Sequence, residues 1–148
     1  MLRLWDPAVG AEVRALKGHT DSVKSVCAVA VDGRQLLASA GADLLVRLWD
    51  PASGAQVRAL QGHTDWVRSV CGVAVDGRQL LASAGDDRVV RLWDPAVDAE
   101  VQPLEGPHRS VRALCGVAVD GRQLLASAGD AGVVRLWDAA TGAEVRAL

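Results

Sequence analysis

Several residue types are missing from this sequence of 148 residues. It contains no Phe, Tyr, Ile or Asn, so its aromatic side chains, apart from histidine, are five Trp. Arginine far outnumbers lysine, and this bias, together with the missing types, fits a GC-rich coding sequence and a bacterial source. So few aromatic residues argue against the clustered platforms that a glycan-binding protein would need.

Strong net charge is missing as well. The formal net charge is −2 at pH 7, which provides no broad basic field. Because nucleic acids and anionic membranes attract proteins largely through such fields, we expect neither as a partner.

Long hydrophobic runs are absent. The longest, such as residues 26–31, are far too short to cross a bilayer. The N-terminal residues Met-Leu-Arg-Leu-Trp-Asp-Pro have the pattern of a folded strand and not that of a secretory signal. We therefore expect a cytoplasmic protein.

Cysteine is scarce and evenly spaced. Cys27, Cys71 and Cys115 follow one another at intervals of 44 residues. Equivalent positions in separate units should lie beyond the reach of a disulfide, so we predict buried, reduced thiols. No cluster of Cys and His has the spacing of a metal site, and no Gly-rich phosphate loop occurs. We expect neither a metal nor a cofactor.

What the sequence does contain is a repeat of 44 residues. The segment VAVDGRQLLASAG occurs three times without change, starting at Val29, Val73 and Val117. The dipeptide Trp-Asp recurs at the same interval. Its tryptophans are Trp5, Trp49, Trp93 and Trp137.

Each unit is predicted to form four short strands. In the first unit these are residues 23–30, 34–40, 45–49 and 55–60, separated by turn residues such as Asp32-Gly33. No stretch shows a convincing helical period. We predict an all-β chain of antiparallel sheets.

The four strands of a unit differ in polarity. The first three are nearly apolar on both faces and must be covered on both sides. The fourth alternates charged and aliphatic residues, as in residues 11–16, which suits the outer edge of a sheet.

Three short motifs recur at fixed positions in the units. They are Gly-His near the start of each of the first two units, Leu-Ala-Ser in the second strand and Leu-Trp-Asp in the third. Over its whole length, the chain resembles the WD-repeat β-propeller family. The resemblance implies propeller blades of four antiparallel strands. We expect a half blade at residues 1–16 and complete blades at 17–60, 61–104 and 105–148.

Such a chain forms an incomplete ring. A propeller needs at least four blades, and the family usually has about seven. Two explanations remain open: the chain is a fragment of a longer array, or several copies associate as a homo-oligomer. Either would cover the aliphatic faces at the two ends of the array.

The resemblance also implies a hydrogen-bonded network of His, Ser, Asp and Trp within each blade. A Ser, His and Asp together invite a hydrolase interpretation, but a nucleophile must be exposed beside an oxyanion hole, whereas these serines lie inside strands. We therefore predict a structural role. The residues concerned are His19, Ser39, Asp43 and Trp49, then His63, Ser83, Asp87 and Trp93, and finally Ser127 and Trp137.

The third unit departs from the repeat. Pro107 stands at the position of His19 and His63, Ala131 replaces the turn Asp, and His108 is shifted by one residue. We predict that this blade lacks the network and is the least stable of the three. Two further departures are Asp98 at a turn glycine and Pro103 in the outer strand.

The loops between units are the expected docking surface, because loops on a rigid scaffold commonly carry function. Trp66 is the only Trp outside the repeating framework. It is either an interface anchor beside Arg68 or a side chain packed on its own blade. The full set of candidate partner-binding residues is Ser22, Lys24, Ala42, Trp66, Arg68, Asp86, Ser110, Arg112 and Asp130.

These observations favour a non-catalytic scaffold that binds other proteins. The alternatives are a fragment of a larger regulatory or signalling protein without independent activity, and a ligand-binding or glycan-binding propeller. An enzyme using the central opening would need a unique polar cluster in one blade, and the irregular third unit has lost polar groups instead.

Overall fold

The computed structural model describes residues 1–97, 99–104 and 109–148. In these residues every regular element is a strand, and no helix is long and apolar enough to cross a membrane. The strands are β1 (Leu2–Asp6), β2 (Ala11–Leu16), β3 (Val23–Val31), β4 (Arg34–Gly41), β5 (Val46–Trp49), β6 (Gln56–Leu60), β7 (Val67–Val75), β8 (Arg78–Gly85), β9 (Val90–Asp94), β10 (Ala99–Leu104), β11 (Val111–Val119), β12 (Arg122–Gly129), β13 (Val134–Asp138) and β14 (Glu144–Ala147).

The strands form antiparallel sheets in chain order. β1 and β2 make a two-stranded sheet, which we call the half blade. The remaining strands make three four-stranded sheets: blade 1 is β3–β6, blade 2 is β7–β10 and blade 3 is β11–β14. The predicted fold class, all-β with propeller blades and an incomplete set of strands at the N-terminus, is confirmed.

Turn chemistry sets the strand limits. Asp32 and Gly33 both have positive φ, 50° and 76°, as expected of a tight hairpin turn between β3 and β4. The third strand was expected to start at Leu45, but it starts at Val46. The reason is that Leu44 adopts a left-handed φ of 70°, so the preceding turn extends one residue further.

The core lies between neighbouring sheets. Trp93 of blade 2 is 2% exposed and belongs to one cluster with Leu36 and Leu48 of blade 1. Trp49 of blade 1 packs in the same way against Leu2 and Leu16 of the half blade. Each blade thus buries its third-strand tryptophan against the sheet that precedes it, as the doubly apolar strands required.

The outer strands behave as edges. β2, β6, β10 and β14 each pair with one strand only. Pro103 in β10 lies opposite Arg91 of β9, and its missing N–H is tolerated because no strand pairs with the other side. Asp98, the other departure in this region, lies outside the described residues.

Hydrogen bonds join each blade to the next. The Ser25 hydroxyl accepts from the Val70 amide at 3.2 Å, and Arg14 of β2 donates to the Ala52 carbonyl oxygen of blade 1 at 2.8 Å. Gln102 takes the place of this arginine at the junction of blades 2 and 3. Its buried Nε2 has no hydrogen-bond partner in the described part of the chain.

The two ends of the array expose apolar residues that are buried inside it. Trp5 is 56% exposed, and Val26 is 55% exposed where its counterpart Val70 is 4% exposed. The half blade has no inner strands to lie over Val26. Identical sequence positions therefore differ in burial only because of what lies beside them.

The prediction of buried cysteines was wrong for Cys115, which is exposed, while Cys27 and Cys71 are partly buried; all three are free. Cys27 and Cys71 accept hydrogen bonds from the backbone of Gly72 and Gly116 in the following blade. Cys115 points toward no such strand among the residues described. Burial raises the pKa of Cys27 to about 11 and that of Cys71 to about 12, which keeps both thiols protonated and unreactive at neutral pH.

Candidate functional site

A buried chain of polar side chains crosses blade 1. The Trp49 indole N–H donates to the Ser39 hydroxyl at 2.8 Å, and Ser39 Oγ lies 2.6 Å from His19 Nε2. His19 Nδ1 lies 2.9 Å from both carboxylate oxygens of Asp43. With a neutral imidazole, Nδ1–H donates to Asp43 and Nε2 accepts from Ser39, so every member has a partner.

The protonation states follow from burial and hydrogen bonding. Desolvation lowers the pKa of His19 and outweighs the attraction of Asp43, so the ring is neutral. Burial also opposes ionisation of Asp43, but hydrogen bonds from His19, the Thr20 amide and Arg47 outweigh it and hold the pKa of the carboxyl below its usual value. The pair is thus a neutral imidazole and a carboxylate.

Blade 2 repeats this geometry. His63 Nδ1 lies 2.7 Å from Asp87 Oδ2, and His63 Nε2 lies 2.7 Å from Ser83 Oγ. The Trp93 indole N–H donates to Ser83 at 2.8 Å. The same local sequence therefore produces the same network twice.

The networks have the composition of a hydrolase triad but not its accessibility. Ser39 and Ser83 are fully buried in β4 and β8, and each hydroxyl is already bonded to a tryptophan and a histidine. A nucleophilic serine must reach a substrate, and these cannot. The arrangement instead satisfies polar groups that would be costly to bury alone.

Blade 3 retains only part of the set. The Trp137 indole N–H donates to Ser127 Oγ at 2.9 Å, so this bond is preserved. Ala131 stands where Asp43 and Asp87 provide a carboxylate. Pro107 and His108, which concern the histidine position, lie outside the described residues.

The loops that link successive blades and the turns between second and third strands lie together. We call this surface, formed by residues 17–22, 42–45, 61–66, 86–89, 109–110 and 130–133, the linker face. Within blade 2, the Asp86 amide donates to the Trp66 carbonyl oxygen at 2.9 Å. Gly85 permits this approach, because a Cβ at that position would collide with the Trp66 carbonyl. Trp66 is therefore held on a fixed backbone.

Ion pairs at the start of the inner strands border the linker face. Arg68 binds both carboxylate oxygens of Asp86 at 2.5–3.0 Å, and Arg112 binds Asp130 at 2.9–3.0 Å. Arg112 also approaches Asp86 at 3.9 Å, which links blades 2 and 3. Hydrogen bonding to Arg68 is the main reason that the pKa of Asp86 is lowered.

Blade 1 has a different arrangement at the same positions. Ala42 replaces the aspartate, so Lys24 has no carboxylate beside it in its own blade. Its ammonium lies 4.9 Å from the ring centroid of Trp66 in the next blade, and the Arg68 guanidinium lies 4.7 Å from the same ring. This cluster across two blades was not expected from the sequence, because neither residue is close to Lys24 in the chain.

The remaining candidate residues are less exposed or less distinctive. Ser22 is exposed, and its amide donates to Asp21 at 2.7 Å. Ser110 is half-buried and hydrogen-bonded to Asp86. Ala42 is buried beneath the Ser22 carbonyl, so its side chain offers nothing to a partner. Across the part of the chain that the structure describes, no group of His, Cys, Asp and Glu has the arrangement of a metal site.

The family model for the WD domain, G-beta repeat (WD40), matches residues 10–50, 54–94 and 99–138, which together make up well over half of the chain. The chain belongs to the WD40 repeat family. Each WD40 match contains the outer strand of one sheet and three strands of the next. The sequence repeat is thus offset by one strand from the blade. Among curated proteins, none matches the chain.

WD40 repeats are generally protein-interaction scaffolds, and the family is typically non-catalytic. The linker face of this chain combines an exposed tryptophan with cations on a rigid backbone. Buried networks stabilise the first two blades beneath it.

Proposed function

We propose that this chain is a non-catalytic scaffold that docks another protein on its linker face, with Trp66 as the anchor. The observation that carries the proposal is the exposed Trp66 ring, 40% accessible, with two cations over it. Trp and Arg are the residue types most enriched at interface hot spots. A large aromatic ring held by its neighbours loses little entropy on binding.

The charges around Trp66 favour a partner with an acidic segment. Arg68 is neutralised by Asp86, whereas Lys24 forms no ion pair with any described residue. A carboxylate of the partner beside Lys24 would add an attractive contact next to the ring. Such a contact would speed association more than it would tighten the complex.

Further parts of the proposal concern the assembly. We propose that the exposed sides of the half blade and blade 3 are covered by more blades, supplied by the remainder of a longer propeller or by further copies of the chain. The support is the exposure of Trp5, Val26 and Leu148 at positions that are buried inside the array. We also propose that the complete blades comprise residues 17–60, 61–104 and 105–148. We propose a cytoplasmic location for the protein.

The test of the docking surface compares two exposed tryptophans. We expect Trp66→Ala to abolish capture of a partner in an affinity pull-down while leaving the melting temperature unchanged. Trp5→Ala removes an exposed Trp away from the linker face and is the matched control, which should retain the partner. If Trp66→Ala keeps the partner, or lowers the melting temperature as the loss of a packed side chain would, Trp66 is not the anchor.

A further inference from the structure

Each junction between sheets inside the chain buries one tryptophan in the same way. The third-strand tryptophan of a blade packs against two aliphatic residues that face each other in the outer strand pair of the preceding sheet. At the first junction these are Leu2 and Leu16, which are buried together with Trp49. The arrangement recurs twice, for Trp93 with Val46 and Leu60 and for Trp137 with Val90 and Leu104.

One such tryptophan and one such aliphatic pair are uncovered, at opposite ends of the array. Trp5 of the half blade stands at the position of Trp49, but its ring is exposed. Val134 and Leu148 of blade 3 face each other through two backbone hydrogen bonds of 2.7 and 3.2 Å. We call this pair the blade 3 seat. Its residues are 39% and 66% exposed, whereas their counterparts in the other sheets are buried.

An outer-strand arginine makes a second contact at the first two junctions. Arg14 of the half blade donates to the Ala52 carbonyl oxygen in the last turn of blade 1, at 2.8 Å. Arg58 of blade 1 donates to the Ala96 carbonyl oxygen of blade 2 at 3.0 Å. Arg146 stands at the same position in blade 3 and is exposed. Blade 3 therefore presents both the aliphatic pair and the arginine of a junction.

The half blade presents the matching acceptor for this arginine. Ala8 is the counterpart of Ala52. Its amide donates to the Asp6 carboxylate at 2.8 Å, and the Gly10 amide donates to the Asp6 carbonyl oxygen at 2.7 Å. The corresponding distances in blade 1 are 2.9 and 2.8 Å. The Ala8 carbonyl thus belongs to a turn with the same hydrogen bonds as the turn that accepts from Arg14.

The inner strand of blade 3 favours a half blade over a complete blade as its neighbour. The Ser25 hydroxyl accepts from the Val70 amide of the next inner strand, and the Ser69 hydroxyl accepts from the Leu114 amide at 3.0 Å. Blade 3 has Ala113 at this position, so its side chain offers no acceptor to a following inner strand. A half blade has outer strands only and needs no such acceptor.

The inner strand of blade 1 differs in a corresponding way on the opposite side. Gly116 lets β11 lie close to β7, because a Cβ at that position would be 3.0 Å from the Gly72 carbonyl oxygen. Blade 1 has Ala28 at the position of these two glycines. β3 therefore has a side chain on the side where the half blade provides no inner strand. Both changes suit a junction made by outer strands.

We propose that the half blade of one copy docks on blade 3 of a second copy of this chain. Trp5 packs on the blade 3 seat of the second copy, and Arg146 of the second copy donates to the Ala8 carbonyl. This inference rests on the proposal that further blades cover the ends of the array, and it names a second copy as their source. The contact joins unlike ends, so each copy has one surface of each kind. Each copy contributes four sheets, and two copies close a ring of a size that propellers adopt.

The molar mass in solution tests the contact. By size-exclusion chromatography with light scattering at sub-millimolar concentration, we expect the original chain to have at least twice the single-chain mass of 15.5 kDa. Trp5→Asp and Val134→Asp each place a charge in the apolar contact. Each should weaken association at least about thirtyfold, as loss of an interface hot spot does, and have the mass of one chain. Val97→Asp, in an exposed turn of blade 2, is the matched control and should associate like the original chain.

Mixing the two variants tests whether unlike ends meet. Trp5→Asp retains the blade 3 seat and Val134→Asp retains Trp5, so an equimolar mixture should form a complex of one chain of each. Leu148→Asp, an exposed position after β14, replaces Val134→Asp if that variant lacks the β-sheet circular dichroism of the original chain. Arg146→Ala should weaken association about tenfold, through the loss of a charged hydrogen-bond donor.

The proposal is overturned if the original chain has the mass of one chain, or if Val97→Asp weakens association as much as Val134→Asp does. It is also overturned if the mixture keeps the mass of one chain, or if either single variant associates like the original chain, as a contact between like ends would allow. Trp66→Ala should associate like the original chain, because Trp66 lies on the linker face. A chain that does not self-associate would leave docking at Trp66 and coverage by the remainder of a longer propeller intact, so the failures are distinguishable.

Discussion

Blades 2 and 3 share the second-strand sequence RQLLASAG, but they differ in what surrounds the buried serine of that strand. Ser83 contacts His63 and Trp93, and His63 is held by Asp87. Ser127 contacts Trp137, and Ala131 stands where Asp87 stands in blade 2. The sheet forms in both cases.

The difference separates two contributions to the fold. Strand pairing and the burial of the third-strand tryptophan do not require the complete network, since β11–β14 pair like β7–β10. The network adds hydrogen bonds within a framework that already exists. We expect its loss to lower the stability of blade 3.

The largest expected effect comes from removing the serine in each blade. Ser83→Ala leaves the Trp93 indole and a His63 nitrogen buried without partners, so we expect the free energy of unfolding to fall by about 2–4 kcal/mol. Ser127→Ala should cost about 1 kcal/mol, because among the described residues only the Trp137 indole loses its partner. Urea denaturation measures both.

Equal losses for the two serine variants would contradict the distinction between the blades. The substitution to Ala is the same in both, in strands of identical sequence. Differences in strand propensity therefore cancel.

The second effect is on acid stability. The pKa of His19 is lowered from 6.5 by burial, so the unfolded state binds the proton more readily. Its contribution to stability is present above pH 6.5 and is lost as the pH falls below that value. Asp43 and Asp87 have pKa values below 3.8, so their contributions are present above pH 3.8 and are lost as the pH falls further.

Hydrogen exchange of the indole N–H groups checks this dependence. Between pH 7 and pH 5, after correction for the intrinsic exchange rate, protection of Trp49 should fall more than that of Trp137. Trp137 is the internal control because Pro107 stands at the position of the network histidine in the sequence of its unit. A parallel decline of the two would show that the histidine network is not the acid-sensitive element.

The smallest expected effect on stability concerns one turn residue, whose conformation is less favourable in blade 1 than in blade 3. Leu44 and Gly132 occupy equivalent turn positions, and both have a φ of 70°. This conformation is strained for leucine but not for glycine. We expect Leu44→Gly to raise the free energy of unfolding by about 0.5–1 kcal/mol and Gly132→Leu to lower it by at least as much. Thermal and urea unfolding measure both.

A loss of stability in Leu44→Gly would mean that contacts of the leucine side chain outweigh the backbone strain. Asp43, directly before it, is unchanged in this variant. The hydrogen bonds of the polar network in blade 1 should therefore be the same in the variant and in the original chain.

Local sequence predicted the sheets well, because the signals are local. Tight turns such as Asp32-Gly33 and alternation in the outer strands fix the strands to within a residue. The members of the polar networks were predicted from the resemblance to the WD-repeat family, which assigned this role to residues such as His63, Ser83 and Asp87. The predicted start of the third strand was wrong by one residue, because leucine has no local preference for the left-handed backbone conformation.

Contacts between blades could not be predicted in the same way. Lys24 and Trp66 lie far apart in the chain, and they meet because blade 1 packs against blade 2. The exposure of Cys115 was missed for a related reason: identical positions differ in burial according to the neighbouring sheet.

The sequence alone determined the antiparallel strands, the turns between them and the residues available for each network, because pairing and turn conformation depend on neighbours within 44 residues. The tertiary structure decided which side chains are covered and which cations lie over Trp66. These depend on the packing of one blade against the next. The burial of a side chain, and with it its pKa and its accessibility, is therefore set by two packed sheets together and not by one sheet alone.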